Sequence, residues 1–449
     1  MLTDEFETDV RRWGHRLAEH LPDGGRNPAA VVERRMMQAV IGDPRLRAAL
    51  FRFVDVRPAC RNRSDLVRHL SEYLEDAASE SATARRLSTL VGRRALELPT
   101  ASAAAFGVSS MSHRFIAGED AAAAAGELTA LWQRGRCVTL DLLGEATLTE
   151  SEGDAYGVRC AQTPRSLSEM SATWRTQPLL EQDGLGPLPR ANLSVKVSAL
   201  TPHLRANAPA RARAAARERL LALLRLARDL KAHLHVDMES LDTRESITEL
   251  VLELLSEPEF QDGPSAGIVL QGYLTDSEEE LDRLLAWLRE HPRSSPFAIR
   301  LVKGAYWDHE VVLAAQQGWE APVFTDRRSC DRHYEHLTRR LLDARADGVA
   351  VRPAIASHNL RSLAHALAYS ERLGLPPEAL ELQVLRGLGD DAAAAIAAVG
   401  RRVRVYCPVG DLVAGMAYLV RRLLENTSND SFLAAQTTGA ELDLLLEKP

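Results

Sequence analysis

The 449-residue sequence is short of cysteine, of long apolar runs and of basic character. Its five cysteines, Cys60, Cys137, Cys160, Cys330 and Cys407, are odd in number and show no CxxC spacing. That argues against a disulfide framework and a zinc site, and for a reducing compartment. No apolar stretch approaches the length of a membrane span; the leucine-rich run Leu220–Leu230 is broken by Arg225 and Arg228. The first residues, Met-Leu-Thr-Asp-Glu-Phe-Glu, are acidic where a secretory leader would be apolar. Net charge is −7, and arginines are interleaved with acids rather than clustered, so no nucleic-acid partner is expected. No G-x-G-x-x-G follows a strand-like run, which leaves a Rossmann cofactor site without support. The expected location is the cytoplasm.

Residues 1–100 read as an α-helical arm domain. Apolar positions recur at helical spacing in Phe6–His20, Ala29–Ile41 and Ser64–Leu74, with no strand-like alternation. Residues 101–136 read as a linker, continuing the Ala-, Ser- and Gly-rich stretch Pro99–Gly118, and a helix leading into the next domain. From Cys137 the texture changes. Short β-rich runs appear at Cys137–Gly144, Asn192–Leu200, His233–Glu239, Gly267–Leu274, Ala298–Tyr306, Arg352–Ser357, Leu380–Leu385 and Val403–Pro408. Helical patterns fill most gaps: Ala210–Leu230, Glu278–Glu290, Cys330–Arg345, Leu360–Leu373 and Asp411–Asn426. Strands alternating with helices predict an α/β fold, a (β/α)8 TIM-like barrel over 137–432, followed by a tail at 433–449. A doubly wound open sheet is the structural alternative.

The run Arg300-Leu-Val-Lys-Gly-Ala-Tyr-Trp-Asp308 reads as a buried strand that carries charge. A strand buried on both faces should be nearly all Val, Ile and Leu. Charge placed there is costly unless a partner or ligand answers it. In a barrel, polar residues at the C-terminal strand ends face the active site. Read that way, successive strands supply Asp141 and Glu145, Lys196, Asp237 and Glu239, Gln271, Arg300 and Lys303, His358 and Asn359, and Tyr406. Each alone reads as a satisfied ion pair; all at one end of the barrel read as a site. Arg421-Arg422-Leu-Leu-Glu425-Asn426 follows the last strand. Arg421 and Glu425 fit a surface i,i+4 pair. Two guanidinium forks aimed at the barrel mouth would instead bind a small carboxylate.

Together with Pro322-Val-Phe-Thr325, Ser357-His-Asn359, Tyr406-Cys-Pro-Val-Gly410, Tyr418–Asn426, Asp141–Thr149 and Ser194–Leu200, these segments resemble the proline dehydrogenase family, most nearly the proline dehydrogenase domain of bifunctional proline utilization A flavoenzymes. The resemblance covers roughly 138–432, and more loosely the helical arm. It implies a distorted barrel holding FAD, oxidation of L-proline to 1-pyrroline-5-carboxylate by hydride transfer from proline C5 to flavin N5, and electrons passed to a membrane quinone through peripheral contact at the inner membrane face. By the same resemblance Lys196, Arg421 and Arg422 clamp the proline carboxylate, and Asp237 stands near the substrate ammonium. Tyr306, Tyr406 and Leu385 wall the ring, Glu145 pairs with the first arginine to close the site, and Arg300 lies near flavin N5. Gln271, Val302, Gly304, Trp307, Phe324, Thr325, His358, Asn359, Gln383, Glu425 and Phe432 fall at cofactor-contact positions, with no metal. A fused or separate aldehyde dehydrogenase is the implied partner. Two departures stand out. Thr325-Asp326-Arg327 replaces the family's Thr-Arg-Lys, which moves a phosphate contact to Arg327 or Arg328. Val384-Leu-Arg-Gly-Leu-Gly389 replaces Arg-Leu-His-Gly-Met-Gly. A dehydrogenase of hydroxyproline or another cyclic imino acid, and a non-catalytic amino-acid-binding barrel, are the other readings.

Overall fold

A computed structural model describes residues 4–22, 43–56, 63–91, 114–144, 147–410, 418 and 441–449. The chain forms two compact units. One comprises residues 1–21, 120–409 and 446–449; the other comprises 22–119 and 410–445. The expected helices at Ala29–Ile41 and, but for Tyr418, Asp411–Asn426 lie outside the described residues.

In the first unit, eight parallel strands close into a barrel: β1 (Cys137–Leu142), β2 (Asn192–Lys196), β3 (His233–Asp237), β4 (Ser265–Gln271), β5 (Phe297–Val302), β6 (Val351–Ala356), β7 (Glu381–Leu385) and β8 (Val403–Val409), with β8 hydrogen-bonded back to β1. Every expected strand is present, but several runs end early, two of them by four residues. The Ala298–Tyr306 run leaves the sheet after Val302, because Gly304 turns to φ +140° and a helix starts at Trp307. The Asn192–Leu200 run coils into a helical turn at Val197–Leu200.

The strands explain their mixed composition by facing. Outward positions such as Leu193, Val195, Leu234, Val236, Ile299, Leu301, Leu382 and Val405 are buried under the helices. Inward positions are polar at every level. Thr139 bonds Asn192 low in the barrel, Ser194 and His235 sit level in β2 and β3, and Lys196 and Asp237 pair at the top. Gly267 makes room for this filling: a Cβ there would stand 2.6 Å from His235 Nδ1 and from the Ala298 carbonyl. The barrel floor is ionic. Arg352 forks onto Asp183 at 2.9 and 3.1 Å, and Arg404 onto Glu381 at 2.8 and 2.9 Å. His233 bonds Ser265 at 2.8 Å and His235 at 3.2 Å.

Among the surrounding helices, α6 (Glu150–Ser171) begins with a capping box made by Thr149 and Glu152. The first helix, α1 (Asp4–Glu19), falls within the arm expected from sequence. Here it packs on α12 (Leu360–Arg372) of the barrel unit, because its stripe Phe6, Val10, Trp13 and Leu17 is completely covered there. Arg361 of α12 locks this contact. Its guanidinium donates to Glu7 at 2.9 Å, to the Leu446 carbonyl at 2.8 Å and to Glu335 of α11 (Arg327–Ala346) at 2.8 Å. Burial pushes the Glu335 carboxyl up, but His365 and Arg361 outweigh it and hold the group at about 2.

In the second unit, α2 (Pro44–Val56), α3 (Arg63–Ala78) and α4 (Ala82–Val91) share an apolar centre of Leu46, Phe53, Leu70, Leu74 and Ala84. Among the described residues, no helix is long and apolar enough to cross a membrane.

Arg361→Met should cost roughly 3–5 kcal/mol in denaturant unfolding, since it leaves the buried Glu335 carboxylate with His365 alone and frees Glu7 and the Leu446 carbonyl; a loss under about 1 kcal/mol would contradict the lock. Stability should also depend on acid. Burial, then Arg404, holds His233 at about 3, and burial holds His235 well below its usual value. Below pH ~6.5 the unfolded chain therefore binds protons that the folded chain refuses, and stability falls as pH drops toward 3 at up to about 1.4 kcal/mol per unit for each ring. Half-buried His333 adds a smaller share. Glu335 and Glu381, both held at about 2, start to count only below ~4.5, so unfolding between pH 6.5 and 5 reads the histidines. His233→Gln with His235→Gln should flatten that slope.

Candidate functional site

On β2, β5, β6 and β7 exposure is confined to the C-terminal end. Lys196, Val302, Lys303, Ala356, His358, Leu385 and Tyr406 are half-buried, while the residues beneath them are closed from solvent. This ring is the barrel mouth. Its centre is Asp237 at the end of β3. One carboxylate oxygen accepts from Arg300 Nη1 at 2.8 Å, and the other accepts from the Tyr406 hydroxyl at 2.6 Å. Lys196 Nζ stands 3.9 Å from the same carboxylate and bonds Asp141 of β1 directly. Arg300 also donates to Ser194 at 3.1 Å and lies 5.3 Å over the Tyr406 ring. Five strands thus meet in one network.

The network balances two carboxylates, Asp141 and Asp237, against Lys196 and Arg300. Burial pulls Lys196 toward losing its proton, but Asp141 and Asp237 overcome this and raise it above the ordinary lysine value. Burial, then Asp141 and Asp237, raises the Tyr406 phenol well above its usual range, so it remains a donor. Some buried groups stay unanswered: among the described residues, Arg300 Nε and Nη2 and Gln271 Oε1 have no hydrogen-bond partner. Gln271 Nε2 is held by the Glu239 carbonyl at 3.0 Å, and Ser198 bonds the Glu239 carboxylate.

The other expected residues distribute unevenly. Trp307 opens α10 (Trp307–Gln317), is 40% exposed, and donates to the Phe324 carbonyl at 2.9 Å. Thr325 is exposed beside it. His358 Nε2 accepts from the Leu385 amide at 2.9 Å, which leaves Nδ1 as the protonated nitrogen of the neutral ring. Asn359 caps α12, accepting from Arg361 N at 2.9 Å. Tyr306 ends the loop after β5. Gln383 is not brought to the mouth: its amide donates downward to Glu381 at 2.7 Å, and it lines the floor. The close approach at Gly304 is to protein; a Cβ there would overlap the Tyr273 ring. Asp326 caps α11 through Ser329 N at 2.8 Å, which accounts for an acid where the family has a base, while Arg327 pairs with Asp331 at 3.7 Å. In the second departure, Gly389 lets the loop close, since a Cβ there would stand 2.5 Å from Val384 Cβ and 2.9 Å from His358 Cδ2. Glu145, Arg421, Arg422, Glu425 and Phe432 lie outside the described residues.

Asp141, Ser194 and Glu239 join the network without having been assigned a role. Asp141 and Glu239 were visible as acids at strand ends. Ser194, two residues before Lys196 on the same inward face, carried the signal of period-two alternation.

Fold and site together define a (β/α)8 barrel whose polar network stands at the C-terminal strand ends. The proline dehydrogenase family model matches residues 124–435, and that of the proline utilization A N-terminal domain matches 7–115. This chain belongs to the proline dehydrogenase family. The bifunctional protein PutA of Escherichia coli strain K12 is 31% identical over 379 residues, 83% of this chain and 27% of that protein. Proline dehydrogenase 1 of Bacillus subtilis is 26% identical over 332 residues, 74% of this chain and 92% of that protein. The crystal structure of proline utilization A from Bdellovibrio bacteriovorus inactivated by N-propargylglycine superposes with a TM-score of 0.89 at 33% identity, covering 100% of this chain and 44% of that one. The chain spans about a quarter of the length of the E. coli bifunctional relative it matches.

Gly304→Ala should lower stability by roughly 1–3 kcal/mol, since the backbone is left-handed and Tyr273 must move. A thermal midpoint equal to that of the unaltered protein would show that the loop relaxes freely.

Proposed function

We propose that this chain oxidises L-proline to 1-pyrroline-5-carboxylate with FAD as its cofactor and a quinone as the final acceptor, met by peripheral contact at a membrane face. The observation that supports this best is the convergence of Lys196, Asp237, Arg300 and Tyr406 on one mouth, in a member of this family. The unpartnered atoms fit a flavin: Arg300 Nε and Nη2 offer donors to ring acceptors, and Gln271 Oε1 offers an acceptor to a ring N–H. Bound FAD would supply the hydride acceptor for proline C5. Val302, Gly304, Trp307, Phe324, Thr325, His358, Asn359, Glu425 and Phe432 are the further residues proposed to hold it. Gln383, turned to the floor, has no part in this reading.

Proline is a zwitterion, so its site needs both signs of charge. Asp237 and Asp141 would face the ammonium. Lys196 is already half-answered by Asp141, which is why the carboxylate needs the additional forks of Arg421 and Arg422. Pinning both charged ends fixes the ring, so that C5 is presented at short range. Tyr306, Tyr406 and Leu385 would wall the apolar carbons, and the Tyr406 hydroxyl, spent on Asp237, leaves little welcome for a hydroxylated ring. Glu145 paired with Arg421 would shut out water, strengthening every charge contact inside. The barrel region 137–432 carries this chemistry, with residues 1–100 as the arm; an aldehyde dehydrogenase, fused or separate, would take the product onward.

Purified protein loaded with FAD should be yellow and should bleach when L-proline is added without oxygen. Lys196→Met should remain yellow while KM for L-proline rises roughly 10–100-fold, as expected for losing a charge-assisted contact, and Arg421→Met and Arg422→Met should behave alike. Protein that cannot be loaded with FAD, or that bleaches with hydroxyproline but not proline, would sink the proposal.

A further inference from the structure

The barrel floor, at the opposite end from the mouth, encloses a cavity of about 30 Å³ lined by Asn192, His233, Arg352, Glu381, Arg402 and Arg404, among others. This is space for one or two water-sized particles. Its charges do not cancel. Three guanidinium groups, Arg352, Arg402 and Arg404, meet two carboxylates, Asp183 and Glu381, and all five residues are buried. Each carboxylate is already gripped by a two-pronged fork, Asp183 by Arg352 and Glu381 by Arg404. Arg402 is the surplus cation. It is 1% exposed; among the described residues its nearest acid oxygens stand at 3.5 and 3.7 Å, and its Nε and Nη1 have no hydrogen-bond partner. The neighbouring rings add no charge, since burial and the arginines keep His233 and His235 neutral. Arg345, whose field also reaches Asp183 beside Arg352 and Arg402, only adds to the positive side.

A buried guanidinium without a counter-charge is strongly unfavourable. From this we infer that the floor cavity is a binding site for one small monovalent anion, of which chloride is the natural occupant by size and charge. The ion would sit against Arg402, completing a three-anion, three-cation set. Its distance from the mouth makes the site separate from proline oxidation, so the inference stands whether or not that activity does. A water molecule could accept from Nη1 but would leave the excess charge in place.

The test replaces chloride by gluconate at constant ionic strength and follows thermal unfolding of the intact chain. Chloride should raise the midpoint by roughly 3–6 °C with a saturating dependence, bromide should substitute, and Arg402→Met should abolish the response. A response that grows linearly with salt, or that survives in Arg402→Met, would overturn the site. Should that variant fail to fold, crystals of the unaltered protein grown in bromide decide. An anomalous peak beside Arg402 supports the inference, and water density there overturns it.

Discussion

A single carboxylate holds the working end of this barrel together. Asp237 accepts from Arg300 and Tyr406 and lies within reach of Lys196, so strands two, three, five and eight are tied through two oxygens. Asp141 brings in the first strand through Lys196. In a low-dielectric interior such a network is stable only when every member is answered. The members left open among the described residues, two nitrogens of Arg300 and one oxygen of Gln271, are the places where the proposed flavin would make its contacts.

The same logic runs from top to bottom of the barrel. Polar and charged side chains fill the interior where branched aliphatics are usual. The outward faces carry the hydrophobic burial instead, against a shell of helices. Neutral histidines and small residues such as Gly267 separate the charged mouth from the charged floor. Two ionic layers can then coexist in one barrel.

Much of this was legible in the amino-acid order. Every barrel strand was visible as a short β-rich run, because apolar outward residues recur beside helices of matching length. The convergence of Lys196, Asp237, Arg300 and Tyr406 followed from their places at strand ends. Strand limits were less legible: the run from Arg300 to Asp308 keeps β-like composition past Val302, and only Gly304's turned backbone ends it. Side-chain direction was illegible where two partners compete. Gln383 could face either layer, and Glu381, two residues before it, draws its amide downward. Helix α1 shows the limit of grouping by neighbourhood in sequence. Its apolar stripe looks like that of the following helices, yet its partner is some 350 residues away (|i−j| = 354 for Arg361–Glu7).

That distant pairing has a topological result. Arg361 holds Glu7 and the Leu446 carbonyl on one guanidinium, and Leu446 also fills the notch left by Gly14. Helix α1 and the segment around Leu446 are thus moored side by side on the flank of the barrel. Loosening either segment, by opening the Gly14 notch or cutting the Arg361 fork, would therefore loosen the other.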